Sequence, residues 1–258
     1  ATNTFTGSDA FVGGMTLGGV LFWSTFFGST GNDNGLRIGL GHNGDVYING
    51  QTSAMTYSPV SCAPPTSVGL PHCASGTQAQ FPRGPGPMEM YVARFNGADL
   101  SLAWSSFLTG NLIRMMPDPL GNVAMGMSTT AGSNGTAPLQ VVPYPNMYFQ
   151  PEHADAFTTS NDGFVRRMNV NDEVIYASYL GGRGLDGASI VLPFQNSRFY
   201  VVSSSQSTSY FPFHCPPTDD PYCYLSYATQ VGTGGEAYYA QLQYDITIGM
   251  ERSEGSST

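Results

Sequence analysis

The chain has 258 residues, of which 41% are hydrophobic, enough to fill a sizeable core. Only 10% are charged, lysine is absent, and the net charge is −9. This balance argues against nucleic acid and polybasic membrane docking, which need clustered Lys and Arg, and no apolar run reaches the ~18 residues of a spanning helix.

In chain order, the first predicted elements are two strands, Asp9 to Met15 and Val20 to Phe27, forming a hairpin over 9–28. Here and later, short segments rich in β-branched and aromatic residues, bounded by Gly, Asn, Asp and Pro, carry the strand signal. Leu36 to Gly41 and Asp45 to Gln51 follow. Asn43-Gly44 between them reads as a two-residue hairpin turn, because both positions accept positive φ. After a long loop come Glu89 to Phe95 and Leu100 to Leu108. Leu112 to Met116, Asn122 to Ser128, Asp162 to Met168 and Val174 to Leu180 repeat that order. Ser189 to Leu192, Arg198 to Ser203, Glu236 to Gln243 and Ile246 to Met250 repeat it again, before a tail at 251–258. No apolar pattern of helical period is long enough to predict a helix.

Self-similarity is the strongest signal. An acid opens a short apolar strand at Asp9-Ala-Phe-Val, Glu89-Met-Tyr-Val, Asp162-Gly-Phe-Val and Glu236-Ala-Tyr-Tyr, with offsets of 80, 73 and 74 residues. An aromatic-Ser/Ala-Thr/Ser-aromatic segment follows at Trp23, Trp104 and Tyr176. A turn then feeds a strand at Asn43-Gly-Asp-Val-Tyr-Ile48, Leu120-Gly-Asn-Val-Ala-Met125 and Asn196-Ser-Arg-Phe-Tyr-Val201. The equivalent position of Trp23, Trp104 and Tyr176 is expected to be buried. Together these segments resemble the bacterial SBBP-type β-propeller repeat family, across three full repeats and part of a fourth.

The resemblance implies an all-β fold: a β-propeller-like repeat of four-stranded antiparallel blades, about three and a half units, in one domain over 1–258. Blade one spans 36–108, blade two 112–180 and blade three 188–250, each with strands a to d. The hairpin 9–28 has c and d character without a and b partners. Its aromatic load makes it the expected assembly element; packing on blade one or three is the alternative. The spacing is long for such a repeat, and the extra length lies in the b–c loops, near 52–88, 129–161 and 204–235.

The four cysteines fall in two close pairs inside Pro-rich loops. Of the three possible connectivities, the short spacing favours disulfides Cys62–Cys73 and Cys215–Cys223. Closing loops of that size stabilises by about 3 kcal/mol in the chain-entropy model. Disulfides imply an oxidising compartment, so the chain is expected to be secreted, extracellular or on the cell surface. The start at Ala1 without methionine agrees with a removed signal peptide. Low charge with exposed aromatics suggests contact surfaces, and the interface candidates are Phe11, Trp23, Phe26, Tyr144, Tyr148, Tyr210 and Phe213.

No catalytic motif stands out. Gly39-Leu-Gly-His-Asn-Gly44 matches GxGxxG but leads from turn to strand, where a dinucleotide site needs a helix. Acids that recur in every repeat read as structural, since an acid–base pair needs two distinct environments. The oxygen-rich turn Gly31-Asn-Asp-Asn-Gly35 makes Asp33, and the matching Asp186, calcium candidates; a polar turn is the simpler reading of both. No cofactor is expected, and no enzyme activity. The expected function is a structural subunit of an extracellular or cell-surface assembly such as a filament, whose partners are copies of itself. The alternative is a monomeric secreted propeller that binds a carbohydrate or another surface protein.

Overall fold

A computed structural model describes residues 7–29, 31–54, 57–61, 70–72, 88–108, 110–118, 121–132, 138–145, 147–154, 160–188, 190–194, 198–207 and 236–243. These residues are all-β. In chain order the strands are β1 (Ala10–Met15), β2 (Leu21–Phe27), β3 (Asp33–Leu40), β4 (Val46–Thr52), β5 (Tyr57–Ser61), β6 (Leu70–His72), β7 (Glu89–Phe95) and β8 (Leu102–Leu108). There follow β9 (Asn111–Pro117), β10 (Val123–Thr129), β11 (Asp162–Met168), β12 (Val174–Leu180), β13 (Ile190–Phe194), β14 (Arg198–Ser205) and β15 (Glu236–Gln243). No described helix is long and apolar enough to cross a membrane.

The sheets follow the repeat. β3-β4-β7-β8 and β9-β10-β11-β12 are four-stranded and antiparallel, β13-β14-β15 supplies three strands in the same order, and β1-β2 is a separate hairpin. The position expected for the last strand of the third repeat, Ile246 to Met250, lies outside the described residues.

Register repeats as faithfully as strand order. In the three c–d hairpins among the described residues one residue of the second strand is skipped: Phe22 between Leu21 and Trp23, Ala103 between Leu102 and Trp104, Ile175 between Val174 and Tyr176. These are β-bulges, which bend a strand and sharpen its twist. The b–c ladders run without a break and set an acid opposite a hydroxyl: Glu89 with Thr52, Asp162 with Thr129, Glu236 with Ser205. Each hydroxyl then accepts the backbone N–H two residues on, from Ala54 at 2.9 Å, Ala131 at 3.0 Å and Ser207 at 3.1 Å. Side-chain turns of this kind end strands cleanly.

The turn at Asn43-Gly44 is longer than expected. Both residues have positive φ, 59° and 81°, but the Gly41 N–H donates to the Asp45 carbonyl, so three residues, His42 to Gly44, form the loop. The GxGxxG match is thus a strand end and a hairpin turn.

The described residues form two compact units. The first comprises those of 1–109, 119–121 and 170–173; the second those of 110–118, 122–169 and 174–258. In the first, Ala10, Val12, Phe27, Val46, Ile48, Tyr91, Ala93, Phe95 and Phe107 make the core, with Trp23 packed against it. In the second, Ala124, Met147, Val165, Tyr176, Leu180, Ala188 and Val201 do so. β4, β7, β10 and β11 bury nearly every residue, so both of their faces are covered.

Candidate assembly surface and loop carboxylates

The hairpin β1–β2 has two unlike faces because side chains alternate along a strand. Ala10, Val12 and Phe27 point inward. Phe27 meets the rings of Tyr91 and Phe95 at 4.9 and 6.2 Å, and Trp23 meets Phe95 edge-on at 5.5 Å. The hairpin therefore packs on its own unit through this face. Outward lie Phe11 and Phe26, ladder partners with rings 5.6 Å apart, and the bulged Phe22, all more than 60% exposed. Met15, Leu17, Val20 and Leu21 are exposed too, and no charged residue occurs from Ala10 to Phe27.

Beside β1 runs β3, which among the described residues pairs only with β4. Leu36, Ile38 and Leu40 on it are exposed. At one end of this edge the Asp33 N–H donates to the Ser8 carbonyl; an edge strand with exposed apolar side chains is a template for another strand. The opposite edges are covered. The segment ahead of β11 folds over β12, with Val142 and Ala177 exchanging backbone hydrogen bonds at 2.9 Å and the Tyr179 N–H donating to the Gln150 carbonyl. Pro71 of β6 accepts from the Ser105 hydroxyl on β8.

The other interface candidates lie elsewhere. Tyr144 and Tyr148 are half-buried against the second core, where the Tyr148 carbonyl accepts the Tyr176 hydroxyl at 2.8 Å. They cover their own unit. Tyr210, Phe213 and the four cysteines lie outside the described residues, although Ser61 and His72, which precede Cys62 and Cys73, are partners in the parallel β5–β6 pair.

The d–a connections 28–33 and 181–186 match at an offset of 153 residues. Asp33 Oδ2 accepts the Ser29 N–H at 2.6 Å and its hydroxyl at 2.9 Å. Asp186 Oδ2 accepts the Gly182 N–H at 2.7 Å and the Ser207 hydroxyl at 2.5 Å. The Asp33 N–H donates to the Ser8 carbonyl, and the Asp186 N–H to the matching Asn161 carbonyl. The Ser53 N–H donates to the Asn32 carbonyl, and Gln206 to Leu185 likewise. A second acid stands beside Asp33, since a side chain on Gly28 would strike both Asp9 and Asp33. At the other connection a side chain on Gly181 would strike Asp162, and the Asp186 N–H bonds the carbonyl of Asn161, the residue before it. Burial, and then the neighbouring Asp33, raise the Asp9 pKa above the usual carboxylate value. Asp162 is additionally held by the Ala154 N–H at 2.7 Å, with His153 Nδ1 at 3.5 Å. The recurrence of the acids alone hides this pairing; the signal in the sequence is the shared spacing from Gly28 to Asp33 and from Gly181 to Asp186. Among the described residues, no group of three or more His, Cys, Asp or Glu side chains is placed to hold a metal.

No protein-family model matches the chain, and no curated protein is significantly similar to it.

Proposed function

We propose that this protein is a structural subunit that self-associates on the cell surface or outside the cell, joining copies through the outer face of β1–β2 and the open edge of β3. The observation that carries this reading is the uncharged aromatic face of Phe11, Phe22 and Phe26 beside the outer edge of β3, which has no strand partner among the described residues and exposes Leu36, Ile38 and Leu40. Solvent-exposed apolar patches of this kind mark contact sites. The occupant is a second copy of the chain. A largely apolar face with Arg37 as its one exposed charge on β3 selects a strand-presenting partner of the same apolar character, and every copy carries one; a low charge content also weakens repulsion between copies. A propeller-like arrangement of the blades and an oxidising compartment belong to the same proposal. They are supported by the recurring register and by the pairing of Ser61 with His72 next to Cys62 and Cys73.

Light scattering after size exclusion, across a concentration series, tests the assembly. The wild type is expected to associate, and Phe11→Ser with Phe26→Ser to weaken association by about tenfold or more per ring removed. Their shared edge-on contact is worth only about 0.5–1.5 kcal/mol, so the variant should stay folded. Wild-type monomers at high concentration would overturn the proposal. Peptide mapping without reduction should also recover Cys62 linked to Cys73 and Cys215 to Cys223; a peptide linking the two loops would reject the local pairing.

A further inference from the structure

The geometry points to two calcium sites in this chain, one formed by Asp9 and Asp33 at the 28–33 connection and one by Asp162 and Asp186 at the 181–186 connection. Asp33 and Asp186 are 1% and 3% exposed, yet Oδ1 of each accepts no hydrogen bond among the described residues. A buried carboxylate oxygen left without a donor is costly, and at the first site the neighbouring Asp9 raises that cost. No arginine relieves it: none of the ion pairs among the described residues involves Asp9, Asp33 or Asp186, and Asp162 faces only His153, at 3.5 Å. A hard cation removes both penalties at once. Calcium accepts carboxylates, backbone carbonyls and waters in flexible geometry, and glycines at both connections leave room for its shell.

The arrangement also explains what differs between repeats. Asp33 lies across from Thr52 and Asp186 across from Ser205, whereas Gly110 lies against the equivalent Thr129, where the connection shrinks to 109–111, so the middle repeat lacks the second acid. Two sites per chain are expected. With two carboxylates each and neutral oxygens for the rest, they belong with weak extracellular-type sites, of dissociation constant about 10⁻⁴–10⁻³ M.

Calcium chloride titrated calorimetrically into the full chain, after chelator treatment, tests this. Two equivalents are expected to bind and to raise the melting temperature. Asp33→Asn and Asp186→Asn should each remove one equivalent, and the double variant both. Absence of saturable binding up to about 10 mM calcium, or unchanged stoichiometry in the double variant, overturns the assignment. Should those variants fail to fold, Asp9→Asn decides for the first site. Asp9 Oδ1 accepts no hydrogen bond among the described residues. Without calcium, Asp9→Asn is expected to melt at or above the wild type, because it removes repulsion from Asp33. With calcium it should lose part of the wild-type shift. A calcium-free melting temperature below wild type would make Asp9 a structural group and overturn the site.

Discussion

Replacing Trp104 with alanine is expected to lower the unfolding free energy by about 3–5 kcal/mol. Its indole is 2% exposed in the third position of β8, opposite Arg94 on β7 and just past the bulge at Ala103. Tyr176 is equivalent in β12, opposite Arg167, and fully buried, with a hydroxyl that also donates to the Tyr148 carbonyl. Trp23 holds the same position in β2, opposite Gly14, but its hairpin has only two strands and the ring stays half-buried. Trp23→Ala should therefore cost clearly less, about half as much by area. Urea unfolding of the two variants checks the order. A loss below about 1 kcal/mol at Trp104 would mean that this position does not anchor the core.

The other large effect is expected at Arg94. Its guanidinium donates to Asp172, and its Nε lies 3.2 Å from Asp45 Oδ2, close enough for an ion pair though not aligned for a hydrogen bond. Asp172 is buried, sits at φ 63° in the turn between β11 and β12, and belongs to the same compact unit. Burial works against the charge on Arg94, but the hydrogen bond and charge of Asp172 outweigh it, so its pKa rises above the usual arginine value. Arg94→Ala leaves two carboxylates facing each other without a cation and should destabilise by about 3–5 kcal/mol. In a double-mutant cycle, Arg94→Ala with Asp172→Ala should recover about 0.5–3 kcal/mol of that. A cycle that closes without coupling would show that the pair contributes nothing specific.

Much of this fold was legible beforehand, and the reason is particular. Glu89 to Phe95, Asp162 to Met168, Val174 to Leu180 and Glu236 to Gln243 lie where expected, residue for residue, because an acid or a turn marks one end and an apolar run fills the rest. β3 begins three residues earlier than expected, at Asp33. Asn34 and Gly35 have poor strand propensity, and the bulge at Leu36 breaks the alternation on which such a reading depends. The parallel β5–β6 pair left no trace, since three residues in a Pro-rich loop carry no period. Burial decided the site. Residue type alone does not separate Tyr144, which covers its own core from the segment between β10 and β11, from Phe26, which faces solvent on β2; the place of each in the fold does.

The unbroken b–c ladder has a consequence for how this chain can vary. Thr52 and Glu89, Thr129 and Asp162, and Ser205 and Glu236 stand across from each other at the base of every long loop, so both loop ends are clamped whatever lies between them. Doubling such a loop adds only about 0.6 kcal/mol of closure entropy. Insertions, deletions or a grafted epitope can accumulate there while the sheet keeps its register, and copies of this scaffold are free to diverge in what they display.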